Sequence, residues 1–350
     1  MVDCSKDVLA YHDDEVSLPQ AERTAMRDRR NANRNRVKDG LEKKKKPKPT
    51  EFCTQGSYAM KTMVQDANKS YDIDDGVYFE KADLKGDRGG EMSALDVRQM
   101  VRDAVDDGSF KTKPEVLKNC VRVHYDAGYH VDIPAYRHVV KDGFLGKEEW
   151  YELASSDWKR SDARDVTNWF ETENTKQSRD GDNGRQMRRI CREMKKFAQS
   201  RPSWQDCIGS GFMITKLVTE CYKPNAARED ETLYDTMKAI KNRLDIDLQV
   251  KHPVTPNETI TNGVDDPKAK FLRDKLADAV RWLGPATKPD GSKEDALDCW
   301  DKVFNTDYFS KRPDGGGNGN GKKAAGSVLV TSASDVNGAP VRKRGGGTYA

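Results

Sequence analysis

Nowhere does the chain carry the eighteen consecutive apolar residues that a membrane-spanning helix needs, so no such span is expected. Its opening, "MVDCSKDVLAYHDDEVSL", has no apolar core of the kind a secretory signal requires. Cysteine pairs are missing as well. Cys4, Cys53, Cys120, Cys191, Cys207, Cys221 and Cys299 stand singly and without any C-x-x-C, which argues against a disulfide framework and against a zinc knuckle. Reduced thiols in a cytoplasmic protein are the expectation, with Cys53 and Cys120 read as core residues on strands. Histidine is scarce, and His124, His130 and His138 lack metal-ligand spacing and a cysteine partner, so they read as packing or surface residues. No period of about 20 to 50 residues repeats, which excludes a solenoid or propeller.

What is present is charge. Of 350 residues, 34% are charged and 35% apolar, and the mean hydropathy is −0.91. That describes a polar chain long enough for two lobes or one large domain. The net charge of +3 conceals local imbalance. Residues 21–50 hold twelve Lys or Arg against four Asp or Glu, and residues 185–201 hold seven against one. Such stretches either face phosphates or form solvated helix faces. The run "KKKKPKP" reads as a flexible basic linker.

Along the chain, "LPQAERTAMRDRRNANRNRVKDGLEK" predicts a long polar helix ended by Gly40 or by the lysine run. Strands are predicted near Phe52–Tyr58 and Tyr71–Phe79, and a helix from Ser93 with Val97, Val101, Ala104 and Val105 on one side. The alternation around Asp126-Ala127-Gly128 predicts a hairpin. From about Glu148 helix is expected to follow helix, through Arg185–Gln199, Cys207–Tyr222, Leu233–Leu244, Phe271–Leu283 and Leu297–Phe304, with Trp282 and Trp300 packing inside. The ending "RPDGGGNGNGKKAAGSVLVTSASDVNGAPVRKRGGGTYA" has too little apolar surface to offset its ordering entropy and is expected to be disordered. The fold class is therefore α+β: a mixed sheet lobe followed by an α-helical lobe.

The chemistry concentrates in "YDIDDGVYF". In a strand, side chains at i and i+2 share a face, so Asp72 and Asp74 stand together while Ile73 points into the core. Paired carboxylates repel and raise each other's pKa unless a cation lies between them. Asp75 has the opposite parity and reads as turn chemistry with Gly76. Two further stretches add weight. "QGS" at Gln55–Ser57 ends an apolar strand with a turn able to offer N–H groups and a hydroxyl to phosphate. In "YHVDIPAY", Asp132 lies opposite Tyr129, Val131 and Ile133 on an alternating strand. A third carboxylate there would complete a clamp for two divalent ions, which hold the attacking and leaving oxygens of an in-line phosphoryl displacement.

This order resembles the polymerase-β-like nucleotidyltransferases, and "TQGSYAMKT…YDIDDGVYF…HVDIPAY" is similar to the bacterial cGAS/DncV-like enzymes (CD-NTases), makers of cyclic oligonucleotide signals in antiphage defence. The resemblance spans Phe52–Tyr136 strongly and continues to about Phe309. It implies that Asp72 and Asp74 bind two Mg²⁺ ions (Mn²⁺ as substitute) and that Asp132 binds the ion nearer the acceptor hydroxyl. It further implies that Gln55, Gly56 and Ser57 meet the donor triphosphate, along with a helical lysine, Lys195 or Lys196, and a serine at a helix start, Ser210. The implied reaction joins and cyclises nucleoside triphosphates, cyclic GMP–AMP from ATP and GTP being the first expectation, for a downstream effector.

The division expected is 1–50, an N-terminal helical segment with a basic linker; 51–147, the nucleotidyltransferase core; 148–312, the helical lobe; and 313–350, the tail. The "GGGTYA" ending is similar to tails whose terminal residue, here Ala350, is joined to a target by an E1–E2-like conjugating protein. Neither a membrane nor nucleic acid is expected to be required. The competing readings are a template-free transferase acting on RNA or a small molecule, and a nucleotide- or nucleic-acid-binding protein without chemistry.

Overall fold

The structure is a computed structural model and describes residues 1–66, 71–86, 88–126, 128–143, 146–178, 185–288 and 290–312. The tail at 313–350, Ala350 included, lies outside the described residues, as does Ala127 of the predicted hairpin turn.

One mixed sheet organises the first half. Its strands are β1 (Glu51–Gln55), β2 (Asp72–Glu80), β3 (Glu115–Val116), β4 (Val121–His124), β5 (His130–Ile133), β6 (Ala135–Gly143), β7 (Gly146–Ala154) and β8 (Trp158–Arg160). They lie in the order β3-β4-β5-β2-β6-β7-β8, with β1 also paired to β2. The helices are α1 (Ser5–Tyr11), α2 (Gln20–Lys43), α3 (Gly56–Ala59), α4 (Ala94–Val105), α5 (Ala163–Gln177), α6 (Gln186–Gln199), α7 (Gly211–Cys221), α8 (Glu229–Ile246), α9 (Pro267–Trp282) and α10 (Lys293–Phe304).

Period-two alternation decides which way β2 faces. Ile73, Val77 and Phe79 enter a core with Val131 and Ile133 of β5, closed by α2 and α4. On α4, Val97, Val101 and Ala104 line this core, and Ser93 with Asp96 forms the reciprocal cap expected at its start. On α2 the buried residues are Met26, Asn33, Val37 and Leu41, a single stripe along an otherwise polar helix. Gly40 does not end α2. A Cβ built on it would stand 2.0 Å from the Ala104 carbonyl oxygen, so this glycine is where α2 crosses α4. The helix stops within the lysine run, where Lys45 takes a positive φ.

A second core joins α5–α10 with α1 around Phe170, Ile190, Phe197, Leu217 and Leu276. Trp300 is fully buried there, and Trp282 packs at its margin.

Three expectations need correction. The region after Glu148 is not yet helical: β7 and β8 extend the sheet to Arg160, and α5 begins only at Ala163. "KEEWYELA" is rich in helix formers, but pairing with β6 overrides that preference, with Arg137 bonded to Glu152 at 2.6 Å and His138 stacked on Tyr151. The change from strand to helix thus falls near residue 162 rather than 148. Residues 1–50 are also not one unit, since α1 is packed into the helical core while α2 backs the sheet. Finally, Asp75 lies mid-strand, not in a turn, and its carboxylate holds Arg34 of α2 at 2.5 and 2.7 Å.

The basic character of α2 proves largely structural. Arg29 lies over the rings of Tyr125 and Tyr129, Arg30 donates to Thr54, and Arg36 pairs with Asp107 over Phe110.

Candidate active site

Parallel pairing of β2 with β5 places His130 beside Asp72 and Asp132 beside Asp74. Three carboxylates on two neighbouring strands therefore share the sheet face opposite the α2–α4 core. Asp72 is exposed, with its Oδ1 2.9 Å from His130 Nδ1, whereas Asp132 is fully buried. Asp74, half-buried between them, has its carboxyl pushed up to about 8, first by burial and then by the charges of Asp132 and Asp72, with Arg122 opposing. A divalent cation is the compensation such a crowded set of hard oxygen donors suits best.

Gly56 closes the site from the side. It has φ of +62°, and a Cβ on it would lie 2.1 Å from Asp74 Oδ2. Only glycine permits this backbone to turn left-handed and press against the carboxylate. Gly56 and Ser57 begin α3, and with Asp72 and Asp74 they line a cleft of about 310 Å³ whose other wall includes Lys195, Gln199, Gly211 and Phe212. Sheet and helical lobes thus meet across the carboxylates.

The remaining candidates are placed unevenly. Lys195 lines the cleft, buried, and donates to the Thr62 carbonyl at 3.1 Å and Oγ1 at 2.9 Å; burial draws its amine down to about 8. Lys196 instead donates to the Gln65 carbonyl at 3.3 Å. The other cations of α6 have protein partners too: Arg188 holds Glu171, Arg189 holds Glu229, and Arg192 reaches Ser17. The predicted phosphate-facing stripe on α6 is therefore reduced to Lys195 at the cleft. Gln55 borders the cleft, but its amide is spent on Tyr78 and Tyr136, at 2.8 and 3.1 Å. Ser210 caps α7, its Oγ accepting from the Met213 N–H at 3.2 Å, and brings Gly211 and Phe212 to the wall.

Asp132 differs most from expectation. Arg122 of β4 donates through Nε to Oδ1 and through Nη2 to Oδ2, both at 2.7 Å. Together with the Asp72–His130 contact, this leaves no group of three His, Cys, Asp or Glu among the described residues gathered closely enough to hold a metal ion as it stands. Asp72 and Asp74 fit a cation; Asp132 fits one only if Arg122 gives way.

Sequence reasoning missed Arg122 and passed over His130. Hairpin arithmetic would have found the first, since 122 and 132 lie five positions either side of the predicted turn's centre. Parity puts His130 on the face of Asp132, but its contact with Asp72 follows only from the β2–β5 register. Cys120 is buried as expected, but it precedes β4 and lines the cleft, where burial and then Asp132 push its thiol up and disfavour the thiolate.

Residues 50–136 match the family described as cyclic GMP-AMP synthase DncV-like, nucleotidyltransferase domain. Among solved structures, Vibrio cholerae DncV cyclic AMP-GMP synthase in complex with the linear intermediate 5′ pppA(3′,5′)pG is similar at TM-score 0.63 and 18% identity, over 83% of this chain and 91% of that one. A mutant of the same V. cholerae di-nucleotide cyclase, bound to ATP and GTP, gives 0.67 and 16% over 85% and 93%. Escherichia coli DncV in its 3′-deoxy GTP bound form gives 0.64 and 16% over 83% and 92%. Residues 50–136 therefore form a DncV-like nucleotidyltransferase domain, and the described chain as a whole shares the fold of these structures.

Proposed function

We propose that the protein is a divalent-cation-dependent nucleotidyltransferase that joins two nucleoside triphosphates and then cyclises the product into a second messenger. ATP and GTP are the first substrates to consider, because similar structures are described with them. A role in antiphage signalling accompanies this reading. The observation that carries it is the register of β2 and β5, which sets Asp74 between Asp72 and Asp132 at the mouth of a cleft walled by Gly56, Ser57 and Lys195.

Asp72 and Asp74 would hold Mg²⁺, joined by Asp132 once it is released from Arg122. When bound, the ions would lower the pKa of a ribose hydroxyl and neutralise charge on the departing pyrophosphate. The chain's own residues supply the rest. Gly56 lets the backbone lie flat against Asp74, so a phosphate held at Ser57 rests beside the carboxylates. Lys195 provides positive charge on the opposite wall near neutrality, exchanging Thr62 for a phosphate oxygen. Phe212 adds an apolar surface beside it. A non-catalytic nucleic-acid binder is the weaker reading, because Arg29, Arg30, Arg34 and Arg36 on α2 and most cations on α6 are held by protein partners.

The test incubates purified protein with all four radiolabelled nucleoside triphosphates and Mg²⁺, followed by phosphatase and chromatography. The expected result is a phosphatase-resistant product that falls at least about a hundredfold in an Asp72→Ala/Asp74→Ala variant. A phosphatase-sensitive linear product, or transfer only to added RNA, would replace cyclisation with the template-free reading. Nucleotide binding without pyrophosphate release, equal in the variant, would remove the catalytic one.

A further inference from the structure

Arg122 is a charged residue next to the carboxylates to which the mechanism above assigns no role of its own. It sits directly across from Asp132 in the β4–β5 register. Its planar fork meets both carboxylate oxygens at 2.7 Å, which is the strong bidentate form of an Arg–carboxylate pair. Asp132 has no exposed side-chain surface, while 17% of the Arg122 side chain remains exposed. One end of the pair is fixed in the core and the other borders solvent.

A buried carboxylate cannot stand uncompensated, and here the compensation is already in place. A divalent cation within bonding distance of either Asp132 oxygen would also lie within a few ångströms of the guanidinium. In a site shielded from water, two like charges that close repel strongly. Asp132 can therefore serve Arg122 or a cation, but not both in this arrangement. Asp72, by contrast, is exposed and faces His130 Nδ1 at 2.9 Å. The three carboxylates thus differ in readiness, although strand register makes them neighbours.

We propose that Arg122 is a resident counter-ion and positioning residue: it holds Asp132 in a compensated, cation-excluding state, and entry of the cation–nucleotide complex requires the bidentate pair to open toward solvent. This deepens the nucleotidyltransferase reading and rests on it. It separates two steps that a preformed site would merge. Cation alone binds weakly, through Asp72 and Asp74, and the full site forms only when substrate charge draws Arg122 away.

The experiment measures Mn²⁺ binding to the full chain by the loss of the free-ion electron paramagnetic resonance signal, without nucleotide. It compares wild type, Arg122→Met and Arg122→Met/Asp132→Asn, each checked for folding by circular dichroism. Arg122→Met is expected to bind Mn²⁺ at least about tenfold more tightly than wild type, and the double variant to lose that gain. Its melting temperature without metal should fall, and Mn²⁺ should raise it more than in wild type. A folded Arg122→Met with wild-type Mn²⁺ affinity overturns the proposal and leaves the arginine a purely structural partner. Should Arg122→Met fail to fold, the wild-type Arg122 Nε–H resonance decides. It should be protected in the free protein and lose protection with saturating Mg²⁺ and non-hydrolysable GTP; unchanged protection overturns the proposal. If neither wild type nor variant binds Mn²⁺ or nucleotide at all, the nucleotidyltransferase reading itself falls.

Discussion

Lys195 carries an ammonium group into a wall where water solvates it poorly, and its amine is drawn down to about 8 by that burial. The free protein therefore loses this charge as pH rises through about 8, whereas a bound triphosphate would hold the proton on. Affinity for a nucleoside triphosphate should weaken from pH 7 to 9.5 by about tenfold, the worth of one charge-assisted hydrogen bond. Lys195→Arg keeps its charge throughout and should flatten the profile, even if its absolute affinity is lower. Calorimetric titration of non-hydrolysable GTP across that range checks this; parallel profiles for the two proteins would place the phosphates elsewhere. Residues of this kind were unequally legible in the sequence. Asp72, Asp74 and Asp132 stood out because an acidic residue on an alternating strand contradicts the strand's own preferences. Lys195 and Lys196 could not be told apart, since a helix turning about 100° per residue puts both near one face, and only the position of Thr62 and Gln65 separates them. The partners of Gln55 could not be read for a related reason: Tyr78 and Tyr136 come from two other strands.

Elements were most legible where burial imposes a period. The stripes of α4 and α6 and the alternation of β5 each have one apolar side, and each was found. Where tertiary pairing overrides local preference, the reading failed, as in β7, whose Lys147, Glu148 and Glu149 are exposed while Glu152 is held by Arg137. Gly40 offers a direct measurement of such an override. By helix propensity alone, Gly40→Ala in α2 should stabilise the protein by about 1 kcal/mol. The crossing with α4 predicts the reverse, because the new methyl would stand 2.0 Å from a backbone oxygen that cannot rotate away. The helices would have to separate, at a net cost of about 1–3 kcal/mol. Urea unfolding of wild type and Gly40→Ala distinguishes the two signs, and a stabilised variant would show that α2 and α4 do not pack this closely.

The two lobes are joined by more than the active-site cleft. Met60 and Val64, which follow α3, are buried in the helical core, and Gln65 bonds back to Asp14, Val16 and Ser17 near the N-terminus. The segment leaving Gly56 and Ser57 is thus tied to α6 and to the π-helical turn at His12–Val16. No local pattern announces this, because Cys4 reaches Asp230 across 226 residues of sequence and the N-terminus completes a core formed much later in the chain. At the junction, His12 Nδ1 lies 2.9 Å from Glu193 Oε1, with both residues buried. Burial pushes the Glu193 carboxyl up to about 8, against the opposing charges of Arg189 and Arg192 and with help from Asp13. Burial, then Arg192, takes His12 down to about 3, so the pair is uncharged near neutrality. The two groups act on stability in opposite directions. Unfolded His12 gains a proton below about 6.5 that the folded chain refuses, so its contribution is lost as pH falls through that value. Folded Glu193 keeps a proton that the unfolded chain gives up near 4.5, so its contribution is lost as pH rises toward about 8. Between 4.5 and 6.5 they offset each other, and above 6.5 only the glutamate term remains. Wild type should therefore lose on the order of 1–2 kcal/mol of stability from this site between about pH 6.5 and 8. Glu193→Gln, which keeps the shape and cannot ionise, should not lose it. Urea unfolding at the two pH values tests the difference between the proteins rather than either alone, which cancels the many other groups that titrate. Equal pH dependence would mean that Glu193 is already ionised in the fold and paired with Arg189 or Arg192, and that the N-terminal turn is held to α6 by a charged contact rather than a neutral hydrogen bond.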